Sequence, residues 1–507
     1  MVRTNLMTRI FFCLRIKTLL LSCWAALSVF APAAALYAQA PSATLTQISS
    51  DPFTVGPGQH ATQVEPHMLA NGSTLVAAFQ TGRIVNGGGT AIGWATSTDG
   101  GSTWAHGFLP GLTTGNGGGP YNAASDPAVA FDAKHGVWII ASLPISNTTT
   151  TAAVVVSRST DGGFTWDNPV NVGPKVSSSD KNWIVCDSTS TSPFYGNCYV
   201  EWDNPATGDG ILMSTSSDGG LTWGAAKATA NHAAGIGGQP LVQPNGTVIV
   251  PIETVGMSAF SSTNGGATWS APVSVANIQS HTDAGGIRSS PLPSAAVDGA
   301  GTVWVVWQDC RFRANCSAND LVYSKSTDGL HWTKVTRVPI DATTSTVDHF
   351  IPGIGIDPAT SGATARVALH YYFYSQSSCT TTTCRLGVGY ISSHNGGATW
   401  NPPLRLAGPM QLAWLPNSQN GLMVGDYIAT AFNNGVPHGV FAVAAAKSGT
   451  MFNEAMFTAQ SLNVPEAGAE LSSAGDRPLH KLSDVIKKER PEKGTVPPSK
   501  RAKRSSK

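Results

Sequence analysis

One eight-residue pattern, S-x-[D/N]-G-G-x-T-W, constrains the fold more than any other feature of the chain. Full copies run from Ser97 to Trp104, Ser159 to Trp166, Ser216 to Trp223, Ser262 to Trp269 and Ser393 to Trp400, with Asn264 and Asn395 replacing the aspartate in two of them. A sixth copy, Ser326 to Trp332, is one residue short. Each follows a short apolar run such as Ala153–Val156, which places the motif at a hairpin turn. There Asp or Asn accepts bonds from the turn's own amides, the glycines take positive φ, and the tryptophan anchors the turn between layers. Successive tryptophans lie 62, 57, 46, 63 and 68 residues apart. A period near 60 made of strands and turns indicates one repeated supersecondary unit. Length alone, 507 residues, suggests about three domains. Composition opposes that: 54 glycines and only 12% charged residues disfavour helical bundles, coiled coils and charged disordered chains. The 41% of hydrophobic residues suffices for a large core.

These turns resemble the Asp-box, or BNR repeat, of the sialidase-like β-propellers, over about residues 44–462. The resemblance implies an all-β propeller of four-stranded antiparallel blades, with each box joining strands three and four. Inner strands are expected to begin near Glu65, Asp126, Asp180, Gln239, Ser289, Phe350 and Asp426. Second strands are expected at Leu75–Phe79, Val137–Ala141, Cys198–Trp202, Val248–Ile252, Val303–Trp307, Val367–Tyr372 and Gly439–Val443. That makes seven starts for six boxes. The seventh unit has a third strand near Met456–Ala459 and no box, and Thr44–Ser49 is placed to supply its fourth strand. Seven blades match the observed period and are favoured; six is the alternative.

The ends of the chain differ from this body. Residues 1–40 read as a signal peptide: four basic residues up to Lys17, an apolar run from Thr18 to Phe30, and an A-x-A site at Ala38–Ala40. Six cysteines remain beyond it, in three local pairs, Cys186 and Cys198, Cys310 and Cys316, Cys379 and Cys384. An even count in an exported chain favours disulfides over zinc, which lacks CxxC spacing here. The expected location is secreted, periplasmic or cell-surface, with no transmembrane helix in the mature chain. Residues 463–507 read as a disordered basic tail, with a local charge of +8 over 477–507. The body between, 41–476, carries a net charge of −11, so nucleic acid is not an expected partner.

The motif is a folding device and carries no chemistry. In a propeller the starts of inner strands and the ends of second strands meet on one face, where ligands usually bind. That face collects Glu65 and His67, Asp126, Asp180 and Lys181, Gln239, Arg288, His349, and Asp426 with Tyr427. Each acid has a bland reading too, as a cap of loop amides. No cofactor is required; converging acids are compatible with a structural calcium ion, and any other metal is left open. The resemblance also implies the sialidase constellation: an arginine triad on a carboxylate, a tyrosine nucleophile with a glutamate, and an aspartate acid. One assignment takes Arg83, Arg288 and Arg311 or Arg313 as the clamp, Tyr372 with Glu253 as nucleophile and activator, and Asp126 as acid. The chain departs from the family's F/Y-R-I-P motif, however, its nearest match being Gly82-Arg83-Ile84-Val85. The leading expectation is therefore an extracellular module that binds a glycan or a protein, with Tyr371, Tyr372, Tyr427 and Trp414 as stacking surfaces. An exo-acting glycoside hydrolase of sialidase type is second, and a structural envelope or assembly-factor propeller third.

Overall fold

A computed structural model describes residues 43–146 and 151–466, so the expected signal peptide and all but the start of the expected tail lie outside the described residues. The described chain is all-β, with 3-10 turns and no α-helix. None of its helices is long and apolar enough to cross a membrane. Its strands form five antiparallel sheets of four and one of eight; the latter is two four-stranded units joined at the single pair Gly89–Ala124. A two-stranded hairpin, Asn417–Ser418 with Gly421–Leu422, stands apart. In chain order, the inner strands of the four-stranded units are Gln59–Asn71, Ala123–Asp132, Asp180–Cys186, Leu241–Val242, Ser294–Val297, Asp348–Ile356 and Ala429–Asn433. We number the units one to seven accordingly.

Strand order within each unit is the simple meander that short turns impose. The seventh unit differs. Its strands Ala429–Asn433, Val436–Ala444 and Glu454–Ala459 are completed by Leu45–Gln47 from the other end of the chain, with Leu45 opposite Ala459. Inner strands touch in sequence from unit one to unit seven, and Ala429–Asn433 also touches Gln59–Asn71. The apolar core lies between successive units, as where Ala128, Ile139 and Val154 of unit two meet Ile184, Val200 and Trp202 of unit three. Full burial of such side chains contributes about 1.5–3 kcal/mol each. A cavity of about 380 Å³ runs along the inner strands, walled by Met68, Val129, Phe131, Ile354, Ile428 and Phe432.

Each repeated turn joins strands three and four of its unit. In the second, Asp161 Oδ1 accepts from Thr165 N (3.0 Å) and Ser159 Oγ (2.8 Å), Oδ2 from Thr165 Oγ1 (2.6 Å), and Trp166 Nε1 donates to Gly163 O (3.0 Å). Gly162 and Gly163 sit at φ 83° and 89°, which side chains avoid. The shortened copy keeps the pattern by substitution: His331 Nδ1 lies 2.8 Å from Asp328 Oδ2, where threonine sits elsewhere. Every turn leans on the preceding unit. Thr96 Oγ1 of unit one bonds Gly162 O (2.6 Å), and a Cβ on Gly101 of unit one would meet the His438 ring of unit seven at 3.0 Å.

The three cysteine pairs are disulfides: Cys186–Cys198, Cys310–Cys316 and Cys379–Cys384. Two boundaries shift from expectation. The first inner strand starts at Gln59, six residues before Glu65, and the fifth starts at Ser294 rather than near Ser289. Packing also continues to Leu462 and Val464, both buried, and Tyr390 donates to Asn463 O (2.7 Å), so the folded body passes the expected 462 boundary.

Candidate functional site

The site begins with a backbone irregularity. Glu65, Asp126, Lys181 and Ile351 all adopt left-handed φ (55°, 46°, 45° and 49°) inside their inner strands. In each strand the pairing register shifts there, between Val64 and His67, Ser125 and Ala128, Asp180 and Trp183, and Phe350 and Gly353. Three of the four precede a proline (Pro66, Pro127, Pro352), which lacks a ladder donor and is tolerated at bulges. A non-glycine residue held in this region costs about 1–3 kcal/mol and persists only where its surroundings enforce it. Here the bulge turns the side chains of Glu65, Asp126 and Lys181 toward one another.

Lys181 is the centre of that group. Its Nζ lies 2.8 Å from Asp426 Oδ2, 3.4 Å from Asp126 Oδ1 and 3.8 Å from Glu65 Oε1, and 4.7 Å above the Tyr427 ring. Arg288 forms a bidentate pair with Asp426, Nε to Oδ1 at 2.7 Å and Nη2 to Oδ2. Gln80 donates to Glu65 Oε2 and to Ser125 Oγ (3.0 Å), and accepts from Arg83 Nη1 (2.8 Å). All of these side chains but Arg288 are buried. The segment between units six and seven holds Asp426 in place. Asn417 pairs with the Gln59 side chain, Leu422 O accepts from Arg288 N (2.7 Å), and Val424 O accepts from Glu65 N (3.3 Å).

Burial and crowding split the carboxyls of this centre. Glu65 is pushed up to about 8 by burial and then by Asp126, against the pull of Lys181. Asp426 is held well below the carboxylate range, because Lys181 and Arg288 outweigh the effect of burial. Burial opposes charge on Lys181, but Asp426, Asp126 and Glu65 hold its ammonium above the usual value. Nearby, burial and then Asp126 raise Asp180 to about 6, and burial and then Asp180 raise Asp203 to about 8. The result is a protonated Glu65 beside a closed set of ion pairs.

Other expected site residues are structural staples. His67 Nδ1 accepts from Val129 N (2.8 Å), and burial pulls its pKa down to about 3, so it is neutral. Gln239 Oε1 accepts from Ala295 N (3.0 Å), tying unit four to unit five. Arg311 is paired with Asp309 through Nε (2.8 Å) and Nη2 (2.8 Å), and Arg313 is buried between Asp320 and Asp341. Neither guanidinium is brought to Arg83 and Arg288 as a clamp. Tyr372 is fully buried in the apolar core; its hydroxyl donates to Ala442 O (2.9 Å), and the acid that acts on it is the buried Glu454. It is not paired with Glu253, whose strand edge faces Ile236 in unit four and whose pKa is raised by burial alone. Tyr371 and Tyr427 are buried as well, which corrects their expected role as stacking surfaces; Trp414 is half-buried. A core position is simply the commoner fate of an aromatic on a second strand.

A polar group absent from the expected set lies between units five and six. His281, Asp283 and Asp348 present one ligand atom each within 4.8 Å of one another. Asn319 is fully buried and touches all three residues: His281 N donates to its Oδ1 (2.8 Å), its Nδ2 donates to Asp283 Oδ1 (3.0 Å), and its backbone N donates to Asp348 Oδ1 (2.6 Å). Gln308 and Ser289 hold Asp283 Oδ2, the former at 2.9 Å. Burial and then the neighbouring carboxylate Asp348 raise Asp283 to about 8, and burial raises Asp348 to about 6. The only sequence signal was a His-x-Asp alternation in a segment without regular strand pattern.

No family model matches the chain. A sialidase from Bacteroides fragilis (strain YCH46) is 34% identical over 110 residues, which are 18% of this chain and 20% of that protein. The match thus spans about a fifth of the length of its curated relative. Among solved structures, the Hadza microbial sialidase Hz136 superposes with a TM-score of 0.41 at 15% identity, covering 79% of this chain and 66% of that one. The NanB sialidase from Streptococcus pneumoniae does so with a TM-score of 0.40 at 15% identity, over 81% and 69%. The chain is thus similar in sequence to the Bacteroides sialidase over that stretch of 110 residues.

Proposed function

We propose that the protein is an exported, seven-bladed Asp-box propeller whose face at the starts of the inner strands, around Arg288, Asp426 and the loop of His281, binds an extracellular glycan or protein. The seven four-stranded units, the circuit of inner-strand contacts and the closure by Leu45–Gln47 support the blade count. Three disulfides support an oxidising destination. The observation that carries the binding reading is the pairing of Arg288 with Asp426. Among the described residues, the one guanidinium near the centre that reaches solvent already holds a carboxylate, and Tyr372 is buried in the apolar core. Such a site recognises a surface without attacking a bond. Titration of the purified protein with an array of glycans is expected to give saturable binding weakened by Arg288→Ala, with no release of a fluorogenic aglycone. Turnover of a fluorogenic sialoside, lost in that variant, would overturn it.

The local likeness to a sialidase favours glycoside hydrolysis as the second reading. On that reading Arg288 must exchange Asp426 for the carboxylate of the sugar, with Arg83 and Asp126 nearby, and Asp426→Asn would raise substrate affinity by freeing the guanidinium. No turnover by either form removes this reading.

A further inference from the structure

Two triads, each with two buried members and one half-buried, stand back to back between units five and six, built around the adjacent pairs Asn319-Asp320 and Asp348-His349. Their compositions are alike, but their charge balance is not. In the Asp320–Asp341–His349 triad, Arg313 and Arg337 each pair with both aspartates, Nη2 to Oδ1 at 2.6–2.7 Å. Asp320 Oδ2, Asp341 Oδ2 and His349 Nε2 lack hydrogen-bond partners here too, but two guanidiniums neutralise two carboxylates, so charge balance calls for no further cation. In the other triad, Asp283 and Asp348 are buried, and among the described residues no lysine or arginine forms an ion pair with either. Asp348 Oδ2 and His281 Nδ1 are buried atoms without a hydrogen-bond partner, 3.2 Å apart and aimed at each other. Two buried carboxyls side by side are costly when both are charged, so one must hold a proton unless a positive species joins them.

We infer that His281, Asp283 and Asp348 bind a divalent cation of the class that accepts imidazole and carboxylate together, Zn²⁺ or Mn²⁺. Three features support it. The donor set, one imidazole nitrogen and two carboxylate oxygens, suits those ions and is less suited to Ca²⁺ or Mg²⁺, which prefer oxygen alone. The second layer is already built. Asn319 pins the His281 backbone and both carboxylates, while Gln308 and Ser289 hold the remaining oxygen of Asp283; such outer partners orient ligands and tune affinity. Finally, His281 retains 24% side-chain exposure and lies outside the strands, so the cluster sits close to the surface. The inference does not rest on the glycan-binding reading, although His281 lies on a loop of the face proposed there.

The test uses the metal alone. Calorimetric titration of chelator-treated protein with Zn²⁺, and Mn²⁺ titration followed by the loss of the free-ion EPR signal, are expected to show one saturable equivalent. His281→Ala and the isosteric Asp283→Asn should each weaken binding by about 100-fold, while His331→Ala, an exposed histidine elsewhere, should leave it unchanged. X-ray absorption of the zinc form should show one imidazole among oxygen donors. Absence of a saturable equivalent, binding that survives both site variants, or a shell with several imidazoles would overturn the assignment. A variant that fails to fold leaves the wild-type titration and absorption spectrum as the deciding measurements.

Discussion

The turns on one face and the charged centre on the other use the same carboxylate chemistry in opposite ways. Asp99 and Asp161 are exposed, and their neighbours solvate them. Bonds from Thr103 and Ser97 hold Asp99 at about 2, and Thr165 and Ser159 hold Asp161 at about 2 against slight burial. Glu65, Asp203 and Asp283 are buried, and the same group is pushed up to about 8. A turn that satisfies its own Asp or Asn within five residues can be copied six times, because its polar groups ask little of the rest of the fold. A buried acid is tolerable only beside particular partners, so the centre occurs once. Repetition therefore marks the scaffold, and singular, costly placement marks the region worth testing for function.

The sharpest break of this contrast is Lys181→Met. Removing the ammonium leaves Asp426, Asp126 and Glu65 crowded without their shared partner, and denaturant unfolding should show a loss of about 3–5 kcal/mol. Next comes pH. Glu65 has a folded pKa of about 8, above its ordinary value of 4.5, so its contribution is fully present below about 4.5 and is lost as pH rises through about 8. Asp99 and Asp161 have depressed values, so theirs is present above about 4 and is lost as pH falls toward 2. Thermal melts should thus fall on the alkaline side for the wild type, and Glu65→Gln should make that limb shallower, with Asp203 and Asp283 supplying the remainder, while leaving the acid limb intact. A smaller effect is expected at the turns: Asp161→Ala should cost about 1 kcal/mol, the scale of a lost cap. Smallest of all is Asp161→Asn, expected within about 0.5 kcal/mol. Asn264 keeps both contacts in its own turn, accepting from Thr268 N (3.0 Å) and, with the direction reversed, donating through Nδ2 to Thr268 Oγ1 (2.8 Å). A large penalty there would mean that the turns are not interchangeable and would erase the contrast.

Much of this architecture is legible in the chain because its causes are local. Ser-x-Asp-Gly-Gly spacing, β-branched runs and cysteines five to twelve residues apart act over one hairpin, so the turns, strand order and disulfides are visible without a structure. The convergence of Glu65, Asp126, Lys181 and Asp426 was also readable as a shared phase of inner strands. Their pairing was not. Arg288 and Asp426 are 138 residues apart, and the segment that joins them crosses back to units one and five. Tyr372 and Glu253 have the residue types of a nucleophile and its activator, yet packing put one in the core between units six and seven and the other at a strand edge of unit four.

The sequence by itself thus determined the repeat, the antiparallel units with their turn chemistry, and the set of polar residues that face one another. Short-range hydrogen bonding and alternation decide these, and both are encoded within a dozen residues. The tertiary structure alone decided which of those polar residues are ion-paired, which are spent on neighbouring backbone, and that His281, Asp283, Asn319 and Asp348 meet at all. Burial and long-range pairing set those outcomes, because the cost of an unpartnered charge depends on what every adjacent unit brings to it.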